Sequence, residues 1–381
     1  MTSRLQLTRR SFVTHVSAGF VSSSLAQASS FKALAHASLV NQPTYVTAGT
    51  DPSGQDWVAL LNSNGKILNK LALPSRAHQI AVHPKANWLA LSARRPGTYL
   101  KIIQADTAKE VYDLKPVSGH HFYGHSVFSS NGQFLYTTEN HIALGEGRIF
   151  VRDSQNDFKV IRQYPSHGIG PHEIKLSPDD KTVIVANGGI LTHPDSGRIK
   201  LNLEEMAPSL AYLSAQTGEL LEQVSLPSHL HKLSIRHIDI NQSGTTVIAM
   251  QYQGDKMDHV PLVGLHKRGQ TIKTLWAPEH INRKMQQYCG SICFNRSGSI
   301  FAVSSPRGDV ITLWDAIDGE YITQFECNDV CGISPSGKHG FSFSNGLGKL
   351  YSFDMKSALL KELTNHAPNT LIAWDNHLTS L

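Results

Sequence analysis

The stretch His172-Glu173-Ile174-Lys175-Leu176-Ser177-Pro178, followed by Thr182 to Asn187, decides the fold. It reads as a short strand, a tight turn and a second apolar strand, and the same pattern recurs in both directions along the chain. Upstream stand His78-Gln79-Ile80-Ala81-Val82-His83-Pro84 with Trp88 to Ala93, and Gly124-His125-Ser126-Val127-Phe128 with Phe134 to Thr138. Downstream, Arg236-His237-Ile238-Asp239-Ile240 leads to Thr246 to Gln251, Gly290-Ser291-Ile292-Cys293-Phe294 to Ile300 to Ser304, and Asp329 to Pro335 to Gly340 to Ser344. A seventh copy is split between the ends, with Leu371 to Asp375 as its inner strand and Tyr45 to Ala48 as the next.

A polar hairpin turn marks each unit a second time, at Asn62 to Gly65, Asp106 to Lys109, Asp153 to Asp157, Ser214 to Gly218, His266 to Gly269, Asp315 to Gly319 and Asp354 to Ala358. Four short strands per unit at a spacing of about 40 to 65 residues are the signature of a propeller blade. The sequence therefore predicts an all-β, seven-bladed β-propeller of the WD40/YVTN-like kind, closed by pairing of N- and C-terminal strands within one blade. Helical periodicity is confined to Ile190 to Ser209 and Pro278 to Gln287. An α/β fold would need helices between strands, and the connections are too short and too rich in glycine for that.

The composition agrees. Of 381 residues, 40% are hydrophobic and 17% charged, enough apolar side chain for a core and too little charge for a disordered chain. No apolar run is long enough to cross a bilayer, so no transmembrane segment is expected. The 35 basic and 30 acidic residues give +5, but Arg4, Arg9 and Arg10 belong to a predicted leader, and the remainder is close to neutral. No nucleic-acid partner is expected on that balance. Thr8-Arg9-Arg10-Ser11-Phe12-Val13, a mildly apolar stretch from Val16 to Leu25, and Ala26-Gln27-Ala28 read as a twin-arginine signal peptide over residues 1–28. A flexible mature N-terminus over 29–41 and the propeller over 42–381 complete the expected domains, and the expected location is the periplasm.

Twenty histidines against four cysteines are the unusual entry in the composition. In a propeller the first strand of each blade lines the central channel and starts at the top face, where the loops joining second to third strands also emerge. Loops entering the first strands carry His78, then His120, His121 and His125, then His167 and His172, then His229, His231 and His237. Nine histidines thus gather on one side of one rim. His78, His125, His172 and His237 stand nearest the axis and are the candidate metal ligands, with Glu173 as a ligand or as the group that orients one of them. Iron or copper is the expected metal. Without an ion, the same histidines would simply hydrate a polar channel mouth or bond to neighbouring blades.

Arg94, Arg95, Arg198, Arg236 and Arg307 fall on the same face and suit a carboxylate or phosphate, with Glu139 and Asn187 as further ligand contacts. Their alternative is simple pairing with Glu139, Asp195 and Asp329. Cys289 and Cys293, like Cys327 and Cys331, are four apart, and cannot bridge each other if the first strands run that far. Cys293 and Cys331 could meet between blades five and six, as a disulfide or as packed thiols, and a four-thiolate zinc site has the wrong spacing. No nucleophile elbow, P-loop or dinucleotide fingerprint is present.

Several longer runs carry a family resemblance: Ala93-Arg94-Arg95-Pro96-Gly97, His121-Phe122-Tyr123-Gly124-His125, Thr138-Glu139-Asn140, Gly170-Pro171-His172-Glu173, Ala186 to Pro194, Ser234-Ile235-Arg236-His237 and Ser304-Ser305-Pro306-Arg307-Gly308. Over nearly the whole mature chain the sequence resembles a family of twin-arginine-exported bacterial seven-bladed propellers, a domain of unknown function. Members are often encoded beside imelysin-type periplasmic iron-uptake proteins and a di-haem peroxidase-like protein. The resemblance implies a role in metal acquisition with imelysin-like partners, and it supplies no catalytic residues. The expected function is periplasmic binding of a transition metal or metal complex in iron acquisition. The alternatives are a metal-dependent, lactonase-like hydrolase or an oxidoreductase on the same face, and a metal-free protein-interaction scaffold.

Overall fold

A computed structural model describes residues 41–364 and 372–381. Pro43 to Leu381 contain seven antiparallel four-stranded sheets, arranged as the blades of a propeller. The predicted leader over 1–28, and most of the segment expected to be flexible over 29–41, lie outside the described residues. Among those described, no helix is long and apolar enough to cross a membrane.

Each blade runs from a channel-lining strand to an exposed edge strand, and burial follows that order. Second strands such as Thr182–Asn187 are buried at every position because neighbouring blades cover both faces, which is why they read as continuous apolar runs. Fourth strands such as Lys159–Pro165 and Leu220–Ser225 are mostly exposed and carry Lys159, Arg162 and Glu222. Those charges discourage edge-to-edge pairing with another chain. In every blade the hairpin between third and fourth strands closes on a residue of positive φ: Gly65, Ala108, Phe158, Gly218, Gly269, Gly319 and Ala358.

Closure takes the predicted form, but the closing strand is longer than expected. Ala373–Ser380 is the inner strand and pairs with Tyr45–Thr50, from Tyr45 opposite Ser380 to Thr50 opposite Ala373. The sequence reading ended it at Asp375 because Asn376, His377 and Thr379 break the apolar run. They are polar because that side of the strand faces the channel. Of the two helical stretches, Pro278 to Gln287 contains the helix Glu279–Lys284. Ile190 to Ser209 is instead an extended insertion with two short 3-10 turns, Pro194–Ser196 and Leu203–Glu205.

Candidate functional site

The inner strands of the seven blades are Ala77–Val82, His120–Phe128, Pro171–Leu176, Leu233–Ile240, Ser291–Phe294, Val330–Ser336 and Ala373–Ser380. Six of them lose register with the second strand of their blade, and four of the breaks fall at the predicted ligands. The shift lies between Ala77 and Ile80 in blade one, Phe122 and Ser126 in blade two, Pro171 and Glu173 in blade three, and Ile235 and His237 in blade four. In blade seven it lies opposite Ala48, where Trp374 and Leu378 flank three residues including His377. Blade six breaks between Val330 and Ile333, and blade five, which supplies no histidine, keeps its register. A bulge adds a residue to one strand, bends it and re-aims its side chains. Here the bulges let Arg236 and His237, adjacent in sequence, line one cavity.

The result is a ring of five imidazoles drawn from five consecutive blades. Successive ring centroids are 4.8 Å apart from His377 to His78, 4.8 Å to His125, 4.9 Å to His172, 4.7 Å to His237 and 5.0 Å back to His377. His78, His125 and His172 form one group that could hold a metal ion; His125, His237 and His377 form another. Four ring nitrogens are buried without a hydrogen-bond partner: Nδ1 of His78, Nε2 of His125, Nδ1 of His172 and Nε2 of His377. A buried polar atom left unsatisfied costs about 1–3 kcal/mol, and four such ring nitrogens stand together here, in groups that could hold a metal ion.

Burial, then neighbouring imidazoles and cations, hold His78, His125 and His172 well below the ordinary histidine range, and His377 is lowered to about 3. These rings are neutral at physiological pH, the state in which imidazole is a ligand.

Glu173 lies on the inner side of the ring, and both its oxygens are engaged. Oε2 accepts hydrogen bonds from His237 Nδ1 at 3.0 Å and from the Ile238 amide at 3.1 Å. Oε1 is 3.7 Å from His125 Nδ1 and 3.4 Å from Lys175 Nζ. Burial opposes its charge, but Lys175, then His125 and His237, hold the carboxyl well below the usual range. With Nδ1 of His125 and His237 turned to Glu173, their Nε2 atoms face the ring. Lys175 also reaches Asp239 at 3.3 Å, in a second cavity of about 420 Å³ beyond the ring.

On the other side of the ring a basin of about 630 Å³ opens between the loops. Arg94, Arg95, Arg198, Lys200, Arg236, Lys256 and Arg307 line it, and no aspartate or glutamate does. Arg95 donates to Thr192 Oγ1 at 3.0 Å and lies over Tyr123; Arg307 lies over Tyr288 with its guanidinium 4.3 Å from the ring centre. Arg236 is 9% exposed, with an Nε that has no partner. Burial, then the nearby Arg95, lowers it to about 10.

None of the acids expected as partners lines the basin. Glu139 is fully buried against Arg152 at 2.8 Å and Thr137 at 2.9 Å, Asp195 lies beside His193, and Asp329, whose backbone amide donates to Asp309 Oδ1 at 2.6 Å, lines a neighbouring cavity with Arg307 without an ion pair to it. Among the described residues none of the five arginines forms an ion pair with these acids, so the pairing alternative is corrected. Asn187 is also away from the basin, donating to the Ser166 carbonyl at 2.9 Å. The structure thus gathers His78, Arg94, Arg95, His172, Arg236, His237 and Arg307 around one cavity and leaves Glu139 and Asn187 inside the blades.

All four cysteines are free thiols. Cys331 donates to Asn376 Oδ1 at 3.0 Å and Cys293 to the Phe294 carbonyl at 3.1 Å, so each has its own partner in place of the bridge considered above.

A family model described as a protein of unknown function (DUF1513) matches residues 71–381. The chain belongs to that family. All five ring histidines and all seven cations of the basin of this DUF1513 chain lie within the match. Comparison with curated proteins gave no match. Among solved structures, hydrazine synthase of Kuenenia stuttgartiensis is similar with a TM-score of 0.57 and 12% identity, over 85% of this chain and 96% of that one. At that identity the likeness is one of fold.

His377 is the member of the histidine ring that sequence reasoning missed, because the inner strand was ended too early. Tyr123 stood inside a quoted motif without a role, and Tyr288 and Lys256 carried no signal.

Proposed function

We propose that this DUF1513 propeller is a periplasmic protein that binds a transition metal, iron or copper, at the imidazole ring and serves iron acquisition beside an imelysin-type partner. The observation that carries the metal reading is the set of four buried, unpartnered imidazole nitrogens in one ring. Their chemistry fits: neutral imidazole suits iron and copper, whereas calcium and magnesium prefer oxygen. His78, His125, His172, His237 and His377 would hold the ion. Glu173 would fix the tautomers of His125 and His237 from behind, the carboxylate–histidine arrangement common at metal centres.

Export, location and the iron-uptake partner rest on the leader motif and on the family resemblance. The test of the metal reading is the double variant His172→Ala/His237→Ala, produced with its own leader. It is expected to lose bound metal with its far-UV spectrum unchanged, and full retention of metal overturns the assignment.

A second reading, an oxidoreductase or hydrolase, draws on one observation: His78, His172 and His237 also line the basin, so an ion in the ring would face whatever the basin holds. Turnover abolished by a chelator and restored by the metal would support it.

A further inference from the structure

The basin is over-supplied with positive charge, and no carboxylate of the described residues lines it. Seven cationic side chains without a lining carboxylate repel one another, and the repulsion is least screened at Arg236, the one of them that is buried. Arg236 shows this most clearly, since it is nine-tenths buried, has no acid partner, and its Nε has no acceptor. Asp375, the acid that acts on Arg94, is committed to Arg76 through both oxygens, at 2.5 and 2.7 Å. Structural arginines are normally buried with their counter-charge. A buried guanidinium without one, Arg236, at the wall of a cavity lined by six further cations, is arranged for a counter-charge that arrives from outside.

We infer that the basin binds a small, multiply charged oxyanion, carrying two or more carboxylate or phosphate groups, by guanidinium forks from Arg94, Arg236 and Arg307. Arginine supplies planar pairs of donors that match such oxygens two at a time. The cations surround the cavity in place of forming one patch, so a ligand with several anionic groups engages more of them than acetate can. Lys200 is held by Gln253, which leaves a neutral amide beside the charged groups. The inference deepens the metal reading by giving the chemical class of the basin's occupant, an anion that would meet the ion in the ring from above. It does not depend on that reading, because the charge imbalance exists whether or not the ring holds metal.

The experiment is isothermal titration calorimetry on the full mature chain after treatment with chelator, using citrate, inorganic phosphate, pyrophosphate and acetate as probes. Citrate or pyrophosphate is expected to bind at least about tenfold more tightly than acetate. That affinity should fall steeply between about 0.05 and 0.5 M salt. Arg236→Gln should cost about tenfold or more. Because a buried arginine can affect folding, the exposed Arg307→Gln serves as a second variant, with the same direction of loss and an unchanged melting temperature. Preference for citrate assigns a polycarboxylate, and preference for pyrophosphate assigns a phosphorylated ligand; either supports the inference. Absence of binding by every polyanion at low salt, or binding unchanged in both arginine variants, overturns it. If His172→Ala/His237→Ala keeps all its metal while citrate still binds, the metal reading fails and the anion site stands.

Discussion

The Nε2 atoms of His172 and His237 lie 3.4 Å apart across the boundary between blades three and four. Two nitrogens bound to one ion at about 2.0–2.1 Å and a tetrahedral angle stand about 3.3–3.4 Å apart. The separation is also long for a hydrogen bond between two ring nitrogens. His237 Nδ1 bonds to Glu173, which leaves its Nε2 turned toward His172 of the neighbouring blade. The contact links the two histidine groups that share His125.

Glu173 is expected to act through the histidines. Glu173→Gln removes the acceptor that orients His125 and His237 while keeping the shape of the side chain. Metal affinity should fall by about 10–100-fold, measured by competition with a chromophoric chelator. An affinity equal to that of the natural chain would show that the carboxylate contributes nothing to the ring.

Gly124 sets the place of His78. Its φ is +110°, and a Cβ there would stand 2.8 Å from His78 Cδ2. Gly124→Ala should therefore displace the His78 ring and weaken metal binding, with about 1–3 kcal/mol of added backbone strain. Measured by chelator competition and chemical unfolding, normal affinity in a folded variant would remove His78 from the ligand set.

Protonation gives a third expectation, for the metal-free chain. In the folded state burial holds His78, His125 and His172 well below the ordinary value, and His377 at about 3. The unfolded chain takes up protons near about pH 6.5. Between these values the unfolded state binds more protons, so stability is complete above the unfolded value and declines as pH falls toward the folded ones. Each such histidine steepens the loss by up to about 1.4 kcal/mol per pH unit. Urea unfolding from pH 7.5 to 4.5 measures it, and His172→Gln should flatten the decline. An equal slope in the variant contradicts the assignment of a buried neutral ring.

Glu139 and Arg152 test the distinction between structure and binding. Arg152→Ala strands a buried carboxylate and should cost about 3–5 kcal/mol in chemical unfolding. Citrate affinity of the folded fraction should be unchanged, because neither residue lines the basin. A selective loss of citrate binding would return Glu139 to the ligand site.

The blades were legible in the sequence because each unit repeats an apolar strand, a turn and a second apolar strand. His78, His125, His172 and His237 were legible because they recur at the same place in successive units. His377 was not, since its strand continues through polar residues that face the channel and the apolar pattern stops at Asp375. The bulges left no sequence mark, and without them alternation would send Arg236 and His237 to opposite faces. Glu139 looked like a rim residue beside Asn140 and His141, but its partner Arg152 sits on the next strand of the same blade, a pairing that depends on register.

The decisive measurement is elemental analysis of the chain produced from its full-length sequence and purified without chelators or a histidine tag. Near-stoichiometric iron or copper is expected, and it should be lost in the His172→Ala/His237→Ala variant. A folded protein that carries no metal and takes up neither iron nor copper when they are supplied would contradict it.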